Sequence, residues 1–304
     1  MHMLSDSAFS RQSFTRVGRP AALVLVQALL VAIVIAATPR GVLAQQRPLV
    51  TEDPETIGAG RVLIEGGFDY GRDVLFPVSG LQGNLLRLPL VGVSIGVSSI
   101  AEIQVDGGVH NRLSILDRRD GPLAGMVTAE GDSTSDVEDI VIGTKVRLAA
   151  EGVSRPSFGF RFATRLPNAG NESGLGLDTT DFYASLLLAK TVQSVRLVGN
   201  VGVGILGDPT RGDRQNDVLL YGVSFARAIT QAAEVVGEVN GRVNTRSGEV
   251  IPGTDSRGTI RFGGRYTIGT WRADAALLVG LTPRDPSVGL TAGFTYVFNA
   301  FQVP

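Results

Sequence analysis

The chain has 304 residues, no cysteine and a formal charge of −1 at pH 7. The absence of cysteine excludes a disulfide scaffold and a thiolate metal centre, and no basic stripe appears that would suit nucleic acid. The length admits one large domain or two small ones.

Arg11, Arg16 and Arg19 precede the apolar run "AALVLVQALLVAIVIAA" (21–37), and "VLAQQ" follows at 42–46. A basic region, an apolar run and small residues at −3 and −1 read as a secretory signal, with cleavage expected after Ala44. An uncleaved anchor helix is the alternative reading of so long a run. No later stretch reaches the length of a membrane-spanning helix. Residues 45–60, which contain "TEDPETIGAG" (51–60), are read as a short ordered periplasmic lead-in. Pro54 and Gly58 exclude a long helix there. The competing idea is a segment that enters or gates the strand domain C-terminal to it.

From residue 61 the period is two almost everywhere. "RVLIEGGFDY" (61–70) sets Val62, Ile64, Phe68 and Tyr70 against Arg61, Glu65 and Asp69. "AEIQVDGGVH" (101–110) sets Ile103, Val105 and Val109 against Glu102, Gln104, Asp106 and His110. The same alternation recurs at 84–97, 139–149, 157–166, 181–189, 194–206, 217–227, 234–243, 259–268, 271–281 and 287–298. Together these predict twelve two-faced β-strands, many near the ~10 residues that a tilted strand needs to cross a bilayer.

The connections are sorted by length. Short links such as "SSIA", "TVQ" and "GT" join strands 2–3, 6–7 and 10–11, with "EGVSRP" at 4–5 and "ITQAA" at 8–9. Longer Gly/Asp/Ser-rich segments separate strands 1–2, 3–4, 5–6, 7–8 and 9–10; the longest is 112–138, and 167–180 is next. "PRDP" (283–286) joins the last pair. Alternating long and short links suit a closed up-and-down meander, the build of bacterial outer-membrane barrels. Greek-key sandwiches have no reason to sort loops this way. Backbone groups in lipid must pair internally, so only a closed barrel lets so many apolar strand faces meet a bilayer. The expected fold is therefore an all-β, antiparallel transmembrane barrel over 61–298, with a tail at 299–304. Phe294, Tyr296 and Phe298 share one face of the last strand and are expected to form an assembly signal.

"TEDPETIGAGRVLIEGGFDY", "AEIQVDGGV", "DIVIGTKVRL", "GLGLDTTDFYASLLLAK" and "LLYGVSFARAIT" resemble the outer-membrane family of meta-pathway phenol-degradation proteins, often called transporters. The resemblance spans roughly 48–298. It departs at "LLRLPLVGVSIGVSSIAEI", where the family has a compact turn into Glu. It implies an outer-membrane barrel and passage of aromatic or other apolar compounds.

The inward parity is expected to carry Arg61, Glu65, Arg87, Glu102, Gln104, Asp106, His110, Lys145, Arg147, Arg161, Arg165, Arg196, Glu238, Arg242, Arg261, Arg265 and Arg272. Such a charged interior makes either a selective passage or a plug of Arg–carboxylate pairs. An enzyme would need a general base, and His110 is the one histidine outside the signal. A lipid-cleaving site should face the membrane, so no catalytic residue, cofactor or metal is expected. The expected partners are outer-membrane lipid and lipopolysaccharide, the barrel-assembly machinery, and small hydrophobic or aromatic solutes. The expected role is a passive channel; a structural or adhesion barrel acting through its long loops is the alternative.

Overall fold

The structure is a computed structural model that describes residues 47–302. The predicted signal, 1–44, lies outside the described residues. Fourteen strands follow one another: β1 Arg61–Phe76, β2 Leu81–Gly96, β3 Ala101–Gly108, β4 Asn111–Arg118, β5 Ser133–Asp136, β6 Ile140–Ala149, β7 Ser157–Leu166, β8 Asp181–Val192, β9 Val195–Gly207, β10 Gln215–Ala228, β11 Ala233–Asn244, β12 Arg257–Ile268, β13 Trp271–Gly280 and β14 Gly289–Asn299. All pairings are antiparallel: the long β2 pairs with both β3 and β4, β3 pairs with β6, β6 to β14 follow in chain order, and β1 pairs with both β2 and β14. The sheet thereby closes as a twelve-stranded barrel of β1–β3 and β6–β14. The short β4 and β5 continue β3 and β6 beyond the ring and pair with each other. Closure removes every free edge of the ring.

The alternation in the sequence becomes two surfaces. Ile103, Val105, Val201, Val223, Phe262 and Leu277 face outward and are exposed, whereas Glu102, Gln104, Lys145, Arg196 and Glu238 face inward and are buried. A soluble barrel would reverse this arrangement. An exposed apolar band around the whole barrel is untenable in water and natural in lipid.

Two features depart from the sequence-based expectation of the strands. Residues 71–83, expected as a long loop, are mostly strand, and only 77–80 turns between β1 and β2. A bulge at Asp73, with φ of 55°, shifts the register so that Val74 meets Gly83 and the ladder continues to Phe76–Leu81. The 112–138 loop also narrows to 119–132, because β4 and β5 occupy its ends.

At the opposite end the links are 97–100, 150–156, 193–194, 229–232 and 269–270. The last is a two-residue hairpin in which Gly269 adopts φ of 61°, a conformation costly for a residue with a Cβ. At the long-loop end, 77–80, 167–180 and 245–256 converge across the mouth. Ser79 Oγ donates to Gly174 O at 2.7 Å. Val78 and Ile251 are buried, and Gly253 packs near both Leu177 and Val78.

Candidate functional site

The site is the bore, and the residues that organise it precede the first strand. Segment 47–60, expected as a periplasmic lead-in, instead passes inside the barrel. The physical reason is charge. "TEDPE" carries Glu52, Asp53 and Glu55 without a neighbouring base, and the inward rows of the wall carry arginines and a lysine to meet them.

Starting at the short-turn rim, Gly60 N donates to Gly96 O at 2.8 Å. Ile57 packs with Leu63 and Val297, and its N–H donates to Glu102 Oε2 at 2.7 Å. Glu55 pairs with Arg147 of β6. Asp53 accepts two hydrogen bonds from Arg196 of β9, at 2.7 and 2.8 Å. Glu52 sits deepest in charge. Its carboxylate meets Lys145 Nζ at 3.3 Å and Arg161 Nε at 3.0 Å, and its main chain exchanges two hydrogen bonds with Asn200. Burial alone would raise the Glu52 carboxyl. The Lys145 ammonium and Arg161 guanidinium, with the Gln104 amide, outweigh it and hold the carboxyl below its usual range.

Beyond Glu52 the segment crosses to the other wall. The Val50 and Thr51 N–H groups donate to the Glu238 carboxylate at 2.8–2.9 Å. Leu49 packs with Ala226 and Val236. Arg47 donates to Thr291 Oγ1 and Ala292 O and lies 3.6 Å from Asp274. Gly222 of β10 makes room for Thr51: a Cβ there would stand 2.8 Å from Thr51 Oγ1. Arg265 of β12 donates to Arg47 O at 2.7 Å, so the segment touches β1, β2, β3, β6, β7 and β9 to β14.

The remaining inward residues form a network around this belt. Arg87 bridges Asp69 and Glu138. Glu102 pairs with Lys145 at 3.0 Å and accepts from Gln104 Nε2 at 3.0 Å. Gln104 accepts from Arg161 Nε at 2.7 Å, and Asp106 lies 4.0 Å from Arg161. Arg165 pairs with Asp139 and Asp181, Arg261 with Glu238, and Arg265 and Arg272 both approach Glu234. Glu65 accepts from Thr295 Oγ1 at 3.1 Å. Arg61 opens β1 at the rim. Buried ions left unpaired are costly, so this matching is what lets so charged an interior persist.

One inward assignment is overturned. His110 is exposed and off the inward row, because the ladder breaks at Val109–His110 between β3 and β4. The break advances the parity by one, and Asn111 takes the buried position opposite Arg87. Arg161, Arg165, Arg261 and Arg265 each have a different set of acidic partners. Sequence reasoning missed Arg47, Tyr183 and Arg257. The first lies in the segment read as a lead-in, and the last stands at the start of β12, before the stretch in which alternation is visible.

Two cavities share the Val50, Glu52 and Arg161 wall. One, of about 320 Å³, is bordered by Arg47, Glu65, Asp106 and Glu138. The other, of about 440 Å³, lies toward the long loops among Tyr183, Asn240, Arg242 and Arg257. Val50 and Glu52 of the segment border both cavities; the second, nearer the long loops, is the outer chamber.

This architecture is similar to that of a known channel. The COG4313 outer membrane channel from Pseudomonas putida F1 superposes with a TM-score of 0.57 at 11% identity, over 81% of this chain and 98% of that one. At this identity the likeness establishes the fold. Looser likenesses include the translocator domain of the autotransporter NalP from Neisseria meningitidis (TM-score 0.46, 13% identity, 92% and 97% covered). The Pseudomonas putida toluene transporter TodX is looser still (TM-score 0.38, 12% identity, 82% and 92% covered). No family model and no curated protein matches the sequence, so the family resemblance rests on the short motifs quoted above.

Proposed function

We propose that the protein is a passive channel of the bacterial outer membrane for small organic solutes with apolar or aromatic bodies, and that segment 47–60 closes it at rest. The observation that carries the reading is the belt itself. It borders both cavities of a charged bore, and polar groups on several separate strands hold it. Burying these charges costs nearly what their pairing returns, so the ion pairs favour the docked position only modestly over the hydrated one, which suits a segment that leaves and returns.

In this reading the short-turn end faces the periplasm, where the exported chain begins, and the long loops face outward. The outward apolar rows meet lipid, and the rim of long loops meets lipopolysaccharide. The final strand offers Phe294, Tyr296 and Phe298 to the assembly machinery; Tyr296 stacks on Trp271 with ring centroids 4.5 Å apart. No reaction is assigned to the protein.

Liposome swelling and single-channel conductance test the reading on refolded protein. The intact chain is expected to pass small solutes slowly, and a variant lacking residues 48–57 to pass them at least about tenfold faster. Equal impermeability of both forms, with barrel folding retained, overturns the channel and favours a structural barrel acting through its loops.

A further inference from the structure

Nearly every inward arginine in the bore is matched by a carboxylate, but two in the outer chamber are not. Arg242 of β11 and Arg257 of β12 are direct cross-strand partners, and both line the 440 Å³ cavity. Arg242 Nε donates to Asp255 O at 2.9 Å and its Nη2 to Gly253 O at 2.8 Å. Arg257 donates through Nη1 to Arg284 O at 3.0 Å and through Nη2 to Leu75 O at 3.2 Å. Among the described residues neither forms an ion pair with a carboxylate.

The acids nearby are already engaged. The Asp255 carboxylate meets Arg284 at 2.8 Å. Asp285 lines the same cavity, but its Oδ2 is turned to Gly258 N at 2.9 Å and to Thr282 N and Oγ1 at 3.1 and 2.7 Å, and it forms no ion pair with either arginine. Asp181 holds Arg165 and the Tyr183 hydroxyl. Glu52 is shared between Lys145 and Arg161. Like charges directly opposite on neighbouring strands repel, and carbonyl oxygens orient a guanidinium without neutralising it. The pair therefore places two fixed positive charges on a cavity wall where Asp285 supplies one negative charge, a local excess that suits an anion.

We infer that the outer chamber is a carboxylate-recognition site built on Arg242 and Arg257, and that the solute it takes is a small monocarboxylate with an apolar or aromatic body. Guanidinium forks match a carboxylate edge in geometry as well as charge. Leu187 and Leu220 supply apolar wall for the body. The cavity volume lies in the range of small-molecule pockets. This assignment rests on the channel reading for its purpose, since it names what the channel would select.

The test is calorimetric titration of the full chain, refolded in detergent, with benzoate and with its neutral counterpart benzyl alcohol. Benzoate is expected to bind at least about tenfold more tightly than benzyl alcohol. R242Q and R257Q keep a donor for the loop carbonyls but remove the charge, and each is expected to weaken benzoate about tenfold while leaving benzyl alcohol unchanged. R242K, which keeps the charge without the fork, falls between. Equal binding of the two probes, or benzoate binding that survives both Gln variants, overturns the site and leaves the arginines as braces of the loops. Swelling assays with benzyl alcohol separate this from the channel itself. Passage of the alcohol without benzoate binding removes the site and leaves the channel. Benzoate binding with no passage of any solute, even after deletion of 48–57, removes the channel and leaves the site.

Discussion

Asp53 and Arg196 meet as a two-point pair across 143 residues of sequence, Nη2 to Oδ1 at 2.7 Å and Nε to Oδ2 at 2.8 Å. Arg196 also reaches Glu151 at the short-turn rim. The pair ties the inserted segment to a wall strand far from it in sequence, and both side chains are largely buried.

Breaking that pair should loosen the belt. D53N and R196Q are each expected to raise the open fraction in planar-bilayer recordings. A double-mutant cycle should return a coupling of about 0.5–3 kcal/mol, the range for contacting residues in one network. That coupling corresponds to roughly two- to 150-fold in the docking equilibrium. Additive single effects would mean that the segment is held elsewhere.

Acid should open the bore through Glu52. Its carboxyl is held below the ordinary value of 4.5 because Lys145 and Arg161 outweigh the cost of burial. A carboxyl whose docked value is depressed favours docking above its undocked value, and that contribution is lost as pH falls through the docked value. Conductance is therefore expected to be flat near neutrality and to rise as pH drops below about 4.5. In E52Q the rise should flatten and the basal conductance should be higher; a wild-type pH profile in E52Q would exclude Glu52 as its source.

Gly222 offers a steric test free of charge. A Cβ at this position would stand 2.8 Å from Thr51 Oγ1 and 3.3 Å from its Cγ2. G222V should displace the segment near Thr51 and raise solute permeability, while the barrel keeps its heat-modifiable gel mobility. A variant with wild-type permeability would show that the segment can move aside without opening a path.

The outward face can be tested by charge. Val201 is midway along β9 and exposed. V201R is expected to destabilise the barrel in phospholipid vesicles by about 2–4 kcal/mol, as arginine does near a bilayer midplane. An unchanged urea midpoint would mean that this row does not face hydrocarbon.

The barrel was legible because strand periodicity is local. Residues i and i+2 share a face whatever surrounds them, so "AEIQVDGG" already separates Ile103 and Val105 from Glu102 and Gln104. The loop lengths, the even strand count and the polar rows then selected a membrane barrel over a sandwich. His110 was misplaced because a one-residue break in the ladder reverses every later parity, and such a break leaves no trace in the pattern. The strand extensions past Tyr70 and before Asn84 were hidden for the same reason, behind the bulge at Asp73.

The inserted segment belongs to the opposite case. "TEDPET" shows only three acids and a proline, which a solvated lead-in would also show. Its place is set by Arg147, Lys145, Arg161 and Arg196, which closure of the ring brings to one interior from three different strands. Arg242 and Arg257 are alike in this respect: as letters they are two more inward charges, and only the engagement of Asp255, Asp285 and Asp181 elsewhere leaves them without an ion pair. Local alternation determines which face of a strand is apolar, because it needs nothing beyond the pleat. Which charges find partners across the bore depends on distances of tens or hundreds of residues in sequence, and the closed barrel alone decides it.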